Sequence, residues 1–309
     1  MFQTFAKHLN HCIACGSEQL KPWQKKRFSY TEQVENTEFQ IVRCQQCGTG
    51  FLNPPPHADL LKSIYQYSGH ALTSPISLAT VLAQEKQFPN STIDANRIVS
   101  WAQRLNQSGN YQALDIGSGY GFYTQALKLA HYDTVSINPG KYENQVFKAM
   151  NGNDPLPIMF DDFNTSNLFG VILMSQVLEH LVEPEHAIAK VANLLANQGV
   201  FACAVPHFNA LTVKILGTKD NACLWVPEHV NYFTVQGVRK LLTQHDLKII
   251  HIHQITRFRY DALSRRLLGE NHRSFILDGI VKYGQIPFNY LANVLRMGIY
   301  LNIYAIKNG

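Results

Sequence analysis

The sequence predicts an α/β protein: a doubly wound, mostly parallel sheet preceded by a small metal-held module. Three observations carry this. From residue 111 onward, strand-like apolar runs alternate with segments of helical period, the pattern that lays helices on both faces of a parallel sheet. The first run, YQALDI, ends beside Asp115 and opens into a turn with glycines at 117, 119 and 121, which lets the backbone approach a ligand closely. Ahead of it stand Cys12-Ile-Ala-Cys15-Gly16 and Cys44-Gln-Gln-Cys47-Gly48, two copies of one pattern.

The cysteine copies set the first element. Two residues between thiolates let one turn offer both sulfurs to a single ion, and the glycine that follows lets the chain fold back. Four thiolates, Cys12, Cys15, Cys44 and Cys47, fill a tetrahedral zinc and leave no open position, so a structural role is expected. A module this small needs the ion to fold. Disulfides do not suit the cytoplasmic location expected below, and a redox site needs one pair, not two. Cys203 and Cys223 lie in apolar surroundings and read as small buried side chains.

Three consecutive prolines in FLNPPPHADLL place a boundary near residue 55. Residues 1–55 form the metal module, 56–108 a helical linker and lid segment, and 109–309 the main domain, with a helical insertion near 257–297. In the main domain a helix starts near Phe122, DTVSIN is a second strand ending at Asn138, and KYENQVFKAM is a helix. FGVILMSQVLEHL runs from strand into helix; QGVFACAVP, LKIIHIHQI and GIYLNIYAI are later strands.

The 309 residues, 46% hydrophobic and 16% charged, suffice for a large core. The start MFQTFAKHLN lacks the apolar run of a signal peptide, and no window of eighteen residues is free of charged or several polar side chains, so a cytoplasmic location is expected. IPFNYLANVLRMGIYLNIYAI comes nearest to a membrane segment, but Arg296 and three asparagines interrupt it; a helix then a strand is expected, with interfacial contact as the alternative. The net charge of +5 is mild for a nucleic-acid binder. Between Arg239 and Arg273, however, eight Lys or Arg stand against three acids, which suits either an anionic ligand such as a nucleotide diphosphate or a plain solvated face.

With Asp115 two residues before Gly117, LDIGSGYG resembles the first motif of class I S-adenosylmethionine-dependent methyltransferases, and the order of elements is similar. The resemblance implies a seven-stranded Rossmann-like sheet with an antiparallel edge, and S-adenosylmethionine as cofactor. It implies that Asp115, Gly117, Gly119 and the backbone of Tyr120 and Gly121 hold the methionine part and ribose. Asn138 stands where the family carries an acid for the ribose hydroxyls, an exchange that costs about 1 kcal/mol or more. Gly170 likewise replaces an acid. Asp162 and Phe163 match the adenine contact, with Asp161 close behind, or FDDFN is a solvated turn. Ser175 and Gln176 end the fourth strand, where the sulfonium is expected.

Two further stretches carry chemistry. SQVLEHLVEP follows the fourth strand and brings Glu179-His180; WVPEHVNYF follows the fifth and brings Glu228-His229. Alone, each is as readily a cap or a hydrogen-bonded turn as an active site. Together with the four-cysteine module and the core, they resemble zinc-containing sugar methyltransferases, including deoxysugar C-methyltransferases. That resemblance implies His229 as the base, with Glu228 and His180 beside a small, nucleotide-sugar acceptor; imidazole, with its usual pKa near ~6.5, suits the task. Those C-methyltransferases carry a tyrosine where this chain has Trp225-Val226-Pro227, so carbon, nitrogen and oxygen all stay open as the methylated atom. Two alternatives remain: an RNA methyltransferase gripping RNA through Lys21, Lys25, Lys26 and Arg27, and a scaffold whose cofactor site has decayed.

Overall fold

The computed structural model describes residues 4–27, 37–61, 76–87, 89–220, 222–256 and 275–307. In chain order, the four-cysteine module contributes β1 (Leu20–Arg27), β2 (Glu38–Cys44) and β3 (Gly50–Leu52). Two helices follow, α1 (Leu78–Gln87) and α2 (Asn90–Leu105). The main body then runs β4 (Gln112–Ile116), α3 (Phe122–Leu129), β5 (Asp133–Ile137), α4 (Lys141–Asn151), β6 (Phe169–Ser175), α5 (Pro184–Leu194) and β7 (Leu195–Pro206). It closes with α6 (Leu211–Leu216), β8 (Asn231–Tyr232), α7 (Val235–Thr243), β9 (Leu247–Ile255), α8 (Phe275–Val294) and β10 (Tyr300–Lys307).

The large sheet has the order β5-β4-β6-β7-β10-β9. Pairs among β5, β4, β6 and β7 are parallel, while β10 runs antiparallel to both β7 and β9. Only a strand covered on both faces reads as an unbroken apolar run, and β6, FGVILMS, is buried from Phe169 to Met174. The chain leaves β4 toward β5 and returns on the other side as β6. That reversal opens a crevice at the carboxyl ends of β4 and β6, where doubly wound sheets take ligands.

The seventh strand is the one departure from the expected sheet. Among the described residues the large sheet has six strands, and beyond β5 there is a single parallel bridge, Ile137 to Leu156. Pro155 and Pro157 flank Leu156 and have no N–H, so only Leu156 can enter a ladder. Its N–H reaches the Ser136 carbonyl at 2.8 Å, and its carbonyl accepts the Asn138 N–H at 3.0 Å. The glycine that replaces an acid at 170 also has a local cause: a Cβ there would run into the carbonyl of Asn110.

The four-cysteine module is built into the main body. Its sheet has the order β1-β2-β3-β8, so its last strand, Asn231–Tyr232, comes from the loop that follows β7. Cys12, Cys44, Cys47 and Phe51 share one apolar core with Leu114, Ile172 and Phe201 of the large sheet. Cys203 and Cys223 are both buried. Of the basic excess, Arg257, Arg259, Arg265, Arg266 and Arg273 lie outside the described residues, as do residues 62–75 of the expected lid segment and residues 257–274 of the expected insertion. No helix among the described residues is long and apolar enough to cross a membrane.

Candidate active site

A cavity of about 470 Å³ occupies the crevice at the ends of β4, β5 and β6. Its base is the glycine turn. Gly117 has φ +71°, a conformation side chains avoid, and a Cβ there would overlap Cγ2 of Val177, which also lines the cavity. Gly119, at φ +52°, has open space where its Cβ would be. Gly121 caps α3 at φ +92°, and a Cβ would strike Asn151 and Phe147. The turn therefore presents bare backbone to whatever the cavity holds.

Asp115 lies beneath the turn, not in the cavity. Its carboxylate accepts the Thr124 hydroxyl at 2.6 Å, and Thr124 is 2.8 Å from the Ser136 hydroxyl. Burial pushes its pKa up to about 6, against the Thr124 hydrogen bond that pulls it down. The acid ties β4 to α3 and β5 and so holds the turn from below. Tyr120 and the Gly121 backbone likewise stand outside the lining.

Asn138 does line the cavity. Its amide donates to Asn144 Oδ1 at 2.7 Å, and Asn144 returns a bond to the Asn138 carbonyl at 2.9 Å. Beside it is Glu143, an acid in the first turn of α4 that the sequence reading passed over. Glu143 is buried, lines the same cavity, and its Oε2 has no hydrogen-bond partner among the described residues. Gly140 makes room for it, since a Cβ at 140 would meet that oxygen. An acid within five residues of the second strand's end was the available signal.

On the opposite wall, Asp161 and Asp162 line the cavity, but Phe163 does not. Phe163 turns into the core, 6.5 Å from Phe169 between ring centroids, and Phe160 with Ile158 and Met159 supplies the apolar wall instead. Both rings belong to the core, and only Phe160 also reaches the cavity.

Past the end of β6, Gln176 sits at φ +56° and lines this cavity as well as a second one of about 250 Å³. Ser175 belongs only to the second, where its hydroxyl donates to Tyr123 at 2.9 Å. Residues Leu178–His180 then form a 3-10 turn, stopped short because α5 starts afresh at Pro184. His180 lines the far end of the cavity.

Two loops are stitched together at that end. His180 Nδ1 donates to the Glu228 carbonyl at 3.0 Å, the Val230 N–H to the Glu179 carbonyl at 2.9 Å, and Asn231 Nδ2 to the Leu181 carbonyl at 2.6 Å. The His180 and His229 rings stand edge to face, 4.7 Å apart between centroids. His229 Nδ1 donates in turn to the Cys223 carbonyl at 2.8 Å. Glu228 meets His180 through its carbonyl, and its buried side chain is not part of the cavity lining. Glu179 is fully buried, and burial pushes its pKa up to about 8.

The four cysteines converge as expected. The Sγ atoms of Cys12 and Cys47, and of Cys15 and Cys44, are 3.6 Å apart. Thiolates at about 2.3 Å around one tetrahedral zinc lie about 3.8 Å from each other, so the cluster fits that ion. Its outer face carries the site loop: Thr234 caps α7, accepting the Gly237 N–H at 3.0 Å, and donates its hydroxyl to the Cys47 carbonyl at 2.7 Å.

A doubly wound sheet with a glycine cradle at its strand reversal, a cofactor-sized cavity above it and an antiparallel edge defines a class I S-adenosylmethionine-dependent methyltransferase. Residues 94–252, more than half of the chain, match the family model described as a methyltransferase domain, and the chain belongs to that family. The plantazolicin methyltransferase BpumL, solved with SAH, superposes with a TM-score of 0.50 at 14% identity, over 81% of this chain and 97% of that one. A chain of the Haloferax volcanii complex containing the Trm112 methyltransferase activator does so with a TM-score of 0.50 at 14% identity, over 74% of this chain and 93% of that one. At such identity these two likenesses speak for the fold. No curated protein matches the sequence.

Proposed function

We propose that the protein methylates a small, sugar-derived acceptor, of the nucleotide-sugar class, seated against His180 and His229. The observation that carries the proposal is the stitched pair of loops: it brings the two imidazoles together at the end of a cavity whose base is the glycine turn. The four-cysteine module and the Glu-His loop it braces support the sugar-derived acceptor through their resemblance to zinc-containing sugar methyltransferases.

When bound, S-adenosylmethionine supplies a methyl group on a positively charged sulfur, which departs as a neutral thioether. The rest falls to this chain. Gly117 and Gly119 offer backbone to the methionine and ribose portions, with Asp115 holding the turn from beneath. Asn138 and Glu143 together replace the single ribose acid: the amide oxygen and the carboxylate each accept from a ribose hydroxyl. Ile158, Met159 and Phe160 flank the adenine, and Asp162 accepts from its exocyclic amine. Gln176 lies between the cofactor cavity and the second one and orients the reacting groups. His180 and His229 place the acceptor in line, and His229 takes its proton. Glu228 positions His180 through its carbonyl.

The domain plan follows: a zinc-held brace over residues 1–55, a helical linker and lid over 56–108, and the catalytic body from 109. Label transfer from methyl-labelled S-adenosylmethionine to nucleotide sugars, run against tRNA and rRNA, tests the proposal. Label in a nucleotide sugar supports it; label in RNA alone overturns it.

A further inference from the structure

Glu179 has no part in the reading above, yet it is the most costly side chain at the site. It is fully buried, and neither carboxylate oxygen has a hydrogen-bond partner among the described residues. One ligand atom from each of Glu179, His180 and His229 lies within 4.8 Å of the other two. Both rings give Nδ1 to a main-chain carbonyl, His180 to Glu228 and His229 to Cys223. A carbonyl only accepts, so each neutral ring carries its proton on Nδ1 and its lone pair on Nε2. Two imidazoles and the Glu179 carboxyl thus meet at one buried point, close enough for one cation to take an atom from each. Carbonyls holding the far nitrogens are also how proteins fix histidines that ligate metals.

We propose that Glu179, His180 and His229 form a second, catalytic metal site that takes a divalent first-row cation such as Mn²⁺. Two imidazoles and one carboxylate suit such ions better than the thiolate-loving or all-oxygen alternatives, and three protein ligands leave positions open. An ion at about 2.1 Å from each ligand draws the three groups inward. The site differs from the four-cysteine cluster, whose thiolates close a tetrahedron. This inference rests on the acceptor lying at His180 and His229, and it narrows the acceptor to a hydroxyl beside a second oxygen, the pair that chelates the open positions. The cation's charge lets the hydroxyl release its proton to solvent. Its oxygen then forms the new O–C bond while the S–C bond breaks and leaves its electron pair on sulfur. In the metal-loaded protein the cation takes over the deprotonation otherwise assigned to His229.

The test is Mn²⁺ binding to the purified, chelator-treated full chain, followed by the loss of the free-ion paramagnetic resonance signal, with retained zinc counted by elemental analysis. One Mn²⁺ site per chain is expected, weakened at least tenfold in Glu179→Gln and in His180→Ala. A single cooperative thermal unfolding transition certifies that each variant is folded. No Mn²⁺ binding by the wild type, or equal binding by a folded Glu179→Gln, overturns the site. Methyl transfer to a nucleotide sugar that survives chelation at full rate also overturns it and leaves the imidazole-base reading standing. Mn²⁺ binding lost in Glu179→Gln, with no nucleotide sugar methylated, upholds the metal site and overturns the acceptor reading instead.

Discussion

Gly117 gives the sharpest test of the cofactor cradle, because two separable costs meet there. In Gly117→Ala the residue keeps φ near +71°, which costs about 1–2 kcal/mol for a side chain in the left-handed region. The new Cβ also overlaps Cγ2 of Val177, and forcing such overlap in a packed site costs about 1–3 kcal/mol. The sum, about 2–5 kcal/mol, is a sizeable part of the ~5–15 kcal/mol that keeps a domain folded. At about 2–4 °C per kcal/mol it lowers the melting temperature by about 4–20 °C. Val177 lines the cavity, so its displacement also weakens S-adenosylmethionine, by about tenfold or more. Adding Val177→Ala removes Cγ2 and relieves the overlap alone, so the double variant regains about 1–3 kcal/mol while the backbone cost stays. Thermal unfolding and calorimetry on the four proteins of this cycle read both quantities. Independent, additive effects of the two substitutions, or wild-type cofactor affinity in Gly117→Ala, refute the reasoning.

Other perturbations read other parts of the site. Glu143→Gln keeps the shape but removes the charge, and S-adenosylmethionine affinity falls by about tenfold, about 1.4 kcal/mol; unchanged affinity removes Glu143 from the ribose contact. Cys44→Ser lowers bound zinc and the melting temperature, and it lowers methyl transfer as well, because the Cys47 carbonyl and β3 brace the Glu228–His229 loop through Thr234 and β8; full activity in a zinc-free variant contradicts that coupling. Asp115, raised from 3.8 to about 6, keeps a proton in the folded chain that the unfolded chain has released. Its share of stability is therefore fullest below pH 3.8, falls by about 3 kcal/mol as pH rises to about 6, and is flat above. The difference in unfolding free energy between wild type and Asp115→Asn should trace that decline, and a constant difference from pH 4 to 6 contradicts it.

What the sequence made legible was local. Strand, glycine turn and helix from Tyr111 to Leu127 are contiguous, and the paired CxxCG copies announce by spacing alone that the four thiols meet. What it hid depends on partners far along the chain. Asn231–Tyr232 is too short to look like a strand and becomes one only by pairing with Phe51 and Gly50. Phe160 and Phe163 are alike in type and both join the core, and only Phe160 also lines the cavity. Glu143 looked like an ordinary acid in the first turn of a helix, and Glu179 like half of a Glu-His dipeptide. Their meaning came from the Asn138 wall in one case and from His229, fifty residues on, in the other. His180 and His229 were named from sequence, but their meeting edge to face required the hydrogen bonds between two loops.

Methyl transfer at the His180–His229 end of the cavity is tested most directly by His229→Ala. His229 is not among the cavity-lining residues, so cofactor affinity by calorimetry should stay within about twofold of wild type. Label transfer from methyl-labelled S-adenosylmethionine to the nucleotide-sugar acceptor should fall by about 10²-fold or more. Wild-type turnover by a variant that binds the cofactor normally would contradict the claim.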